Sequence, residues 1–415
     1  MSKPQEHPPR AASVQCFFWT APASAIAGGT LLLVVGEQAL ANGWSTVTMS
    51  LTHIATLGFI SMTLLGTFYL LVPVQLDRRI KAPRLAYFVF VTFAIGIISL
   101  CIGLAGVAVT PVFVAIGALF PALGCFFWPA IGSLRGTRGQ PNAAPLRLAI
   151  GAFLVVVILG IWVAHGHGGM KFPGPRGLWI QVHLAIALFG WIGGMSGAAF
   201  NWFSAEQSPE HGSQPLTSTW WGRLLWIGIV APSGLLGLQY LGLIEMSQAA
   251  TSWTASFAIA PAAIAAWCMQ PFYGLRSLRN PEHPIAERHY WQSAFCLAPI
   301  SLAIGAMALF NPTPQWRLAF AWVAIWGWAG LLVHAILRAF GDRGFAISSA
   351  ARQEVKILDL AFPLHLLSIA TGVAAIALGG PVLARLTGGI LIALGVVQIH
   401  RMLRIAKAMQ RVATG

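Results

Sequence analysis

The sequence predicts an all-α polytopic membrane protein with about twelve membrane-spanning helices. Of its 415 residues, 57% are hydrophobic and only 9% are charged, and the mean hydropathy is positive. Apolar stretches of roughly 20 residues, the length that crosses a hydrocarbon core, recur along the whole chain. The polar connections between these stretches are too short to contain a soluble domain.

The apolar stretches predict a single transmembrane domain over residues 14–403. A cytoplasmic N-terminal tail of residues 1–13 precedes this domain, and a cytoplasmic C-terminal tail of residues 404–415 follows it. The boundary between the third and fourth spans, near Gly106, is the least clearly marked in the sequence. The predicted spans cover residues 14–40, 45–74, 84–106, 107–133, 145–165, 177–203, 217–243, 249–270, 289–311, 316–341, 357–380 and 382–403.

The distribution of Lys and Arg predicts that both termini are cytoplasmic, in a bacterial-type cytoplasmic (inner) membrane. With the N-terminus inside, all but four of the 25 Lys and Arg fall on the cytoplasmic side. Adding or removing one span would move every later loop to the other side and destroy this asymmetry. The basic loops then lie beside anionic lipid headgroups, so the bilayer accounts for the net charge of +14 and no nucleic-acid partner is expected. The four exceptions are Lys171, Arg176, Arg317 and Arg385.

A Gly-aromatic pattern recurs at intervals of four spans. Leu57-Gly58-Phe59 lies in the second span, Phe189-Gly190-Trp191 in the sixth and Trp326-Gly327-Trp328 in the tenth. This periodicity favours an internal repeat of three four-helix units. The alternative is that such pairs are simply common in membrane helices, where glycine permits close packing.

Histidines in the predicted spans are the candidate functional residues, because ionisable groups in hydrocarbon are costly and tend to be functional. His53 and His183 lie in the outer halves of the second and sixth spans. His165 and His167 close the fifth span on the same outer face, and Met170 follows them. Because imidazole binds both haem iron and copper, these five residues are the predicted metal ligands, with His53 and His183 as the cofactor-binding pair. The alternative for each histidine alone is a helix-end residue bonded to a backbone carbonyl or water.

A second histidine pair is predicted towards the cytoplasmic side. The predicted spans place His334 and His365 at one depth on neighbouring helices. We favour a structural role for this pair, with Arg338 and Asp359 as neighbours to which the histidines bond. A second haem or a proton-entry relay is the alternative.

The run Met49-Ser50-Leu51-Thr52-His53-Ile54-Ala55-Thr56-Leu57-Gly58-Phe59 resembles a histidine helix of the haem-copper oxidase superfamily, particularly of its cbb3-type and nitric-oxide-reductase-like catalytic subunits. In that family a histidine precedes a Gly-aromatic pair, and an aromatic-rich run ends at Val-Pro, as at Val72-Pro73 here. The segment from Gln181 to Trp202 is similar to the same pattern more loosely. The resemblance implies twelve spans in three units of four, with His53 as a haem axial ligand and His183 as a haem or copper ligand.

Two spans depart from the family pattern. The seventh span has no adjacent histidine pair for copper, and the tenth has Trp326-Gly327-Trp328 in a stretch without the family's His-x-His. The usual ligands of a dioxygen-reducing binuclear centre are therefore missing. The resemblance implies a divergent relative, similar in outline to the haem- and copper-containing membrane proteins associated with nitric oxide metabolism.

Three hypotheses for function follow. The first is a b-type haem protein, with or without copper, for electron transfer or for redox chemistry of nitric oxide or oxygen. A quinol or a periplasmic donor would supply its electrons. The second is a copper-handling protein that uses the outer-face histidine and methionine cluster. The third is a solute transporter with helices broken by proline. The position of the ionisable groups argues against this hypothesis, because they lie near the two faces and a coupling ion would bind at the midplane.

Overall fold

The computed structural model describes residues 11–106, 110–140, 142–167, 176–207, 243, 285–311, 313–343 and 360–414. All regular structure in these residues is helical, and none of them lies in a strand. Helix α1 is followed directly by a 3-10 turn, Gly36–Leu40. The helices are α1 (Ala11–Val35), α2 (Thr46–Leu76), α3 (Leu85–Leu104), α4 (Thr110–Leu134), α5 (Ala143–His167), α6 (176–207), α7 (Ile285–Phe310), α8 (314–343), α9 (Ala361–Leu378) and α10 (Pro381–Thr414).

The predicted all-α, multi-pass class is confirmed for the described part of the chain, and the count of twelve spans and the orientation stay predictions. The described part contains 10 helices that are long and apolar enough to cross a membrane, and each corresponds to one predicted span. The helix of the third span ends at Leu104, and Gly106, two residues later, has a φ of +83°, the left-handed conformation typical of the residue that follows a helix C-cap. The predicted spans 217–243 and 249–270 lie outside the described residues, apart from Leu243.

Three helices change their hydrogen-bond register at the Gly-aromatic pairs. The segments Ile54–Ser61 in α2, Ile186–Ile192 in α6 and Trp322–Ala329 in α8 are π-helical. The π-helix is rare and occurs mostly as single turns within α-helices, frequently at functional sites. The sequence repeat is therefore accompanied by a repeated irregularity of the backbone.

The chain divides into two compact units. Unit 1 comprises Met1–Ser133 and His283–Gly415, and unit 2 comprises Leu134–Glu282. Both division points fall between predicted spans, after the fourth and after the eighth. Unit 2 therefore covers the same stretch of sequence as the predicted middle group of four spans, of which 217–243 and 249–270 lie outside the described residues apart from Leu243.

In unit 1, glycines bring the backbones of α1 and α10 into direct contact. A Cβ on Gly388 would lie 2.5 Å from the carbonyl oxygen of Gly29 and 2.8 Å from the backbone nitrogen of Leu33. A Cβ on Gly395 would lie 2.7 Å from the carbonyl oxygen of Pro22. Only glycine permits this approach, which is the usual device for close helix packing in membranes.

At one end of unit 1, the N-terminal ends of some helices lie beside the C-terminal ends of others. The beginnings of α1, α7 and α9 meet the ends of α8 and α10 around a single pocket, lined among others by Gln15, Tyr290, Ala361, Arg338 and Arg401. Neighbouring helices therefore run in opposite directions, as the predicted topology requires. That topology assigns this end to the cytoplasmic side.

In unit 2, α5 packs against the π segment of α6. The rings of Phe153 and Trp191 are stacked, with centroids 4.2 Å apart and an interplanar angle of 17°. A Cβ on Gly194 would lie 3.0 Å from the Cβ of Ala149, so the two helices are close there as well. Trp191 belongs to the Gly-aromatic pair, which therefore contributes to helix packing in this unit.

The orientation in the membrane is testable with a reporter that is active only outside the cytoplasm. An alkaline phosphatase domain fused after Gly415 is expected to be inactive, because the positive-inside rule places the C-terminus inside. The same domain inserted at Gly168 is expected to be active. The opposite pair of results would reverse every assignment of a side made above.

Candidate functional site

His53 is the last residue of α2 before its π segment. Its Nδ1 lies 2.7 Å from the carbonyl oxygen of Met49, one turn earlier. Because a carbonyl only accepts, Nδ1 carries the hydrogen and Nε2 keeps its lone pair. The side chain is half-buried within unit 1. His53 therefore presents the nitrogen that would bind a metal or a hydrogen-bond donor.

The hydroxyl groups around His53 are engaged with their own helix. Thr52 donates to the carbonyl of Thr48, and Thr56 donates to the carbonyl of Thr52, both at 2.8 Å. Ser50 donates to the carbonyl of Cys101 in α3 at 2.9 Å, which fixes α2 against its neighbour. The bond to Met49 holds the imidazole in one tautomer. The hydroxyl hydrogens of Ser50, Thr52 and Thr56 are donated to backbone carbonyls and not to His53.

An apolar pocket lies between the π segments of α2 and α8, and we call it the α2–α8 pocket. It is a partly open cavity of about 60 Å³, and its lining residues include Ala55, Phe59, Trp322 and Trp326. The rings of Phe59 and Trp326, both from Gly-aromatic pairs, have centroids 4.9 Å apart. His53 is not among the lining residues, although its neighbour Thr52 is. The pocket therefore offers apolar volume without an imidazole ligand.

His183 lies in α6, three residues before the π segment of unit 2. Its side chain is half-buried, and its Cε1 is 3.2 Å from the position that a Cβ on Gly160 would take. Glycine in α5 therefore makes room for this imidazole. His53 and His183 share their place ahead of a π segment but belong to different units, and their predicted convergence stays a prediction.

The other predicted metal ligands lie at the edge of what the structure describes. His165 and His167 are in the last turn of α5, and their side chains are outside the described residues. Met170 is also outside them. Where side chains are described, no group of three or more His, Cys, Asp or Glu is arranged to hold a metal ion. The predicted outer-face metal set therefore remains untested.

The second histidine pair, His334 and His365, is a direct hydrogen-bonded pair. Their Nδ1 atoms are 2.5 Å apart, and the two side chains are 3% and 0% exposed. Their predicted placement at one depth on neighbouring helices is confirmed. The histidines bond to each other, where the sequence suggested Arg338 and Asp359 as neighbours; Asp359 lies outside the described residues.

Trp326 completes this pair, and sequence reasoning missed its role. His365 Nε2 lies 2.9 Å from the carbonyl oxygen of Trp326, and the indole ring stacks on the imidazole with centroids 4.9 Å apart. Gly330 leaves space for the ring, because a Cβ there would lie 3.1 Å from His365 Cε1. A glycine one turn after Trp326 was the only sequence signal of this contact.

The hydrogen bonds fix the tautomers of both rings. Since the carbonyl of Trp326 only accepts, His365 Nε2 carries a hydrogen and the Nδ1 of the neutral ring is bare. The Nδ1 of His334 must then donate, which leaves the Nε2 of His334 as an acceptor. That Nε2 is buried and has no hydrogen-bond partner among the described residues. A buried acceptor without a donor is costly and marks a place where a ligand or water is expected.

No protein-family model matches the chain, and no curated protein matches its sequence. The class that the fold defines is an all-α, multi-pass membrane protein with buried histidines beside π-helical segments.

Proposed function

We propose that the protein is a b-type haem-binding membrane protein of a bacterial-type cytoplasmic membrane, with His53 as an axial ligand. It would transfer electrons, or carry out redox chemistry of nitric oxide or oxygen, with a quinol or a periplasmic donor as the source of electrons. The sequence assigns the second axial position to His183. Copper is a further candidate metal, for the outer-face residues His165, His167 and Met170.

The tautomer of His53 carries this proposal: the bond to the carbonyl of Met49, which is also the contact expected of a purely structural histidine, leaves Nε2 as the nitrogen that would bind iron. Histidines that bind metals almost always donate their other ring N–H to a carbonyl, a carboxylate or water, which orients the ring and raises its basicity. His53 has this arrangement within a single helical turn. Its Nε2 therefore needs no rotation of the ring to become a ligand.

The π segments supply the second argument. Both candidate ligands precede such a segment within three residues, and π turns are frequent at functional sites. A bound haem would supply one-electron chemistry. The chain's own contribution would be to hold the iron through imidazole and to exclude water with the aromatic residues of the same helices.

The test is an optical spectrum of the purified protein, recorded oxidised and reduced, together with metal analysis. We expect a Soret band that shifts on reduction and a haem b content near one per chain. Copper at stoichiometric amounts without a Soret band would support the copper-handling alternative. A protein that contains neither metal, after expression in a haem-sufficient strain, would overturn the proposal.

A further inference from the structure

We propose that a pocket at the predicted cytoplasmic end of unit 1 binds a quinol, meaning a membrane-soluble aromatic diol. This pocket, the His334 pocket, is a partly open cavity of about 70 Å³. Helices α1, α7, α8, α9 and α10 all contribute to its lining. The residues used below are Trp19, Tyr290, His334, Arg338, Gln398 and Arg401.

The first recognition group is the Nε2 of His334. The bonds from His334 to His365 and from His365 to Trp326 make this Nε2 an acceptor, and it has no partner among the described residues. The side chain is 3% exposed, so bulk water does not satisfy it. It requires a ligand that brings a hydrogen, such as a hydroxyl group.

The second recognition group is the Oε1 of Gln398, on α10. This oxygen is also buried without a partner in the described part of the chain, and the side chain is 8% exposed. Two acceptors from two different helices therefore line one pocket. A ligand with two hydroxyl groups satisfies both, whereas a ligand with one leaves an acceptor unpaired.

The remaining walls suit a flat aromatic ring with an apolar tail. Trp19 and Tyr290 supply aromatic surface, and the Tyr290 ring lies 5.5 Å from the ring of His334. Ala406, which lines the pocket, is exposed, and Trp19 and Met402 are half-buried, so the pocket reaches the protein surface. Trp19 and Met402 belong to predicted spans and Ala406 to the predicted cytoplasmic tail, so the opening lies at the cytoplasmic edge of the membrane, where the ring of a lipid-soluble quinol is within reach.

Charge argues against the other small ligands. The guanidinium groups of Arg338 and Arg401 line the pocket and disfavour a metal cation beside a single imidazole. A fully ionised phosphate or a carboxylate has no hydrogen for either acceptor. A quinone has carbonyl oxygens only, so it brings no hydrogen to the Nε2 of His334. The diol is the oxidation state that this acceptor selects.

Binding of a short-tailed quinol to the purified full-length protein tests this selection by calorimetry under anaerobic conditions. We expect the quinol to bind about tenfold or more tightly than the matching quinone, and than the same ring with both hydroxyls methylated, because each buried hydrogen bond gained is of that order. Equal affinity for the three compounds would overturn the proposal. So would binding of the quinone alone.

Variants locate the site. Gln398→Leu keeps the size of the side chain and leaves the histidine pair intact, and it is expected to weaken quinol binding about tenfold. His334→Leu is expected to weaken it at least as much. His400→Ala alters an exposed residue one turn or less from Gln398 and is expected to leave the affinity unchanged. Unchanged affinity in Gln398→Leu, in protein that elutes as a single species, would contradict the assignment.

The binding experiment does not depend on the haem proposal. Only the role of the quinol as an electron donor rests on that proposed function. A His53→Ala protein that has lost haem is expected to retain quinol affinity. Loss of haem from His334→Leu would instead assign the Nε2 of His334 to an iron and overturn the quinol site. The two proposals can therefore fail separately.

Discussion

Replacing His53 with alanine is expected to remove the haem signal, or to convert a low-spin spectrum into a high-spin one. The imidazole is held by its own helix through Met49, and no other histidine lies within one turn of it. The haem content of purified protein should fall from about one per chain to near zero. Membrane insertion should not be impaired, because removing a polar side chain from the bilayer lowers the free-energy cost of insertion, by ~3 kcal/mol at most.

Two other histidines are the matched controls. His334→Ala and His400→Ala are expected to keep the full haem content, since the first removes a buried histidine of the predicted cytoplasmic side and the second an exposed one. His183→Ala is expected to behave like His53→Ala if both imidazoles bind one iron. If it does not, the second ligand comes from His165, His167 or Met195. An unchanged low-spin spectrum in His53→Ala would contradict the proposed function.

Replacing Gly388 with alanine is expected to destabilise the protein by about 1–3 kcal/mol, the usual cost of overpacking a tight contact. The added methyl group would meet the backbone of α1, at 2.5 Å from the Gly29 carbonyl oxygen and 2.8 Å from the Leu33 nitrogen. Backbone atoms cannot rotate away as a side chain can, so α1 and α10 must separate. The midpoint of unfolding in detergent, followed by helical circular dichroism, should fall measurably.

The adjacent glycine provides the control. A Cβ on Gly389 would meet nothing within 4 Å, so Gly389→Ala adds only the helix preference of alanine, worth ~1 kcal/mol in favour of folding. The two variants have the same composition and lie next to each other in α10. Equal midpoints for the two would show that the close approach of α1 and α10 does not limit stability.

The spans could be predicted from the sequence because membrane crossing depends on composition and length. A helix needs roughly 20 apolar residues to cross, whatever its neighbours are. The end of the third span was harder to locate, since Gly106 interrupts a stretch that stays apolar on both sides. Its left-handed φ, which only glycine adopts readily, is a backbone property that hydropathy does not report.

The histidine pair was predictable in position and not in chemistry. Counting residues from the span ends was enough to place His334 beside His365. Their tautomers depend on the carbonyl of Trp326, which lies 39 residues from His365 in the sequence. The oxygen of Gln398 is buried because α10 packs against α1 and α9, which hydropathy does not report. Such features arise from tertiary contacts between distant segments.

The candidate haem ligands follow from residue type and depth in the sequence, and the structure adds the tautomer of His53. The bond to Met49 spans one turn of one helix, so its existence follows from local geometry. The predicted pairing of His53 with His183 involves residues of two different units and cannot be derived from either helix alone. It remains a prediction for the spectra of the variants described above.

The π segments have a consequence for the angular position of His53. A π turn accommodates one residue more than an α turn, so it offsets the two halves of α2 around the helix axis by about 100°. Deleting one residue within Ile54–Ser61 would restore the α register and rotate His53 by that angle relative to Gly66, which packs on Phe17 of α1. Every residue of α2 before the deletion, His53 included, would then face a different neighbour, while the residues after it kept theirs.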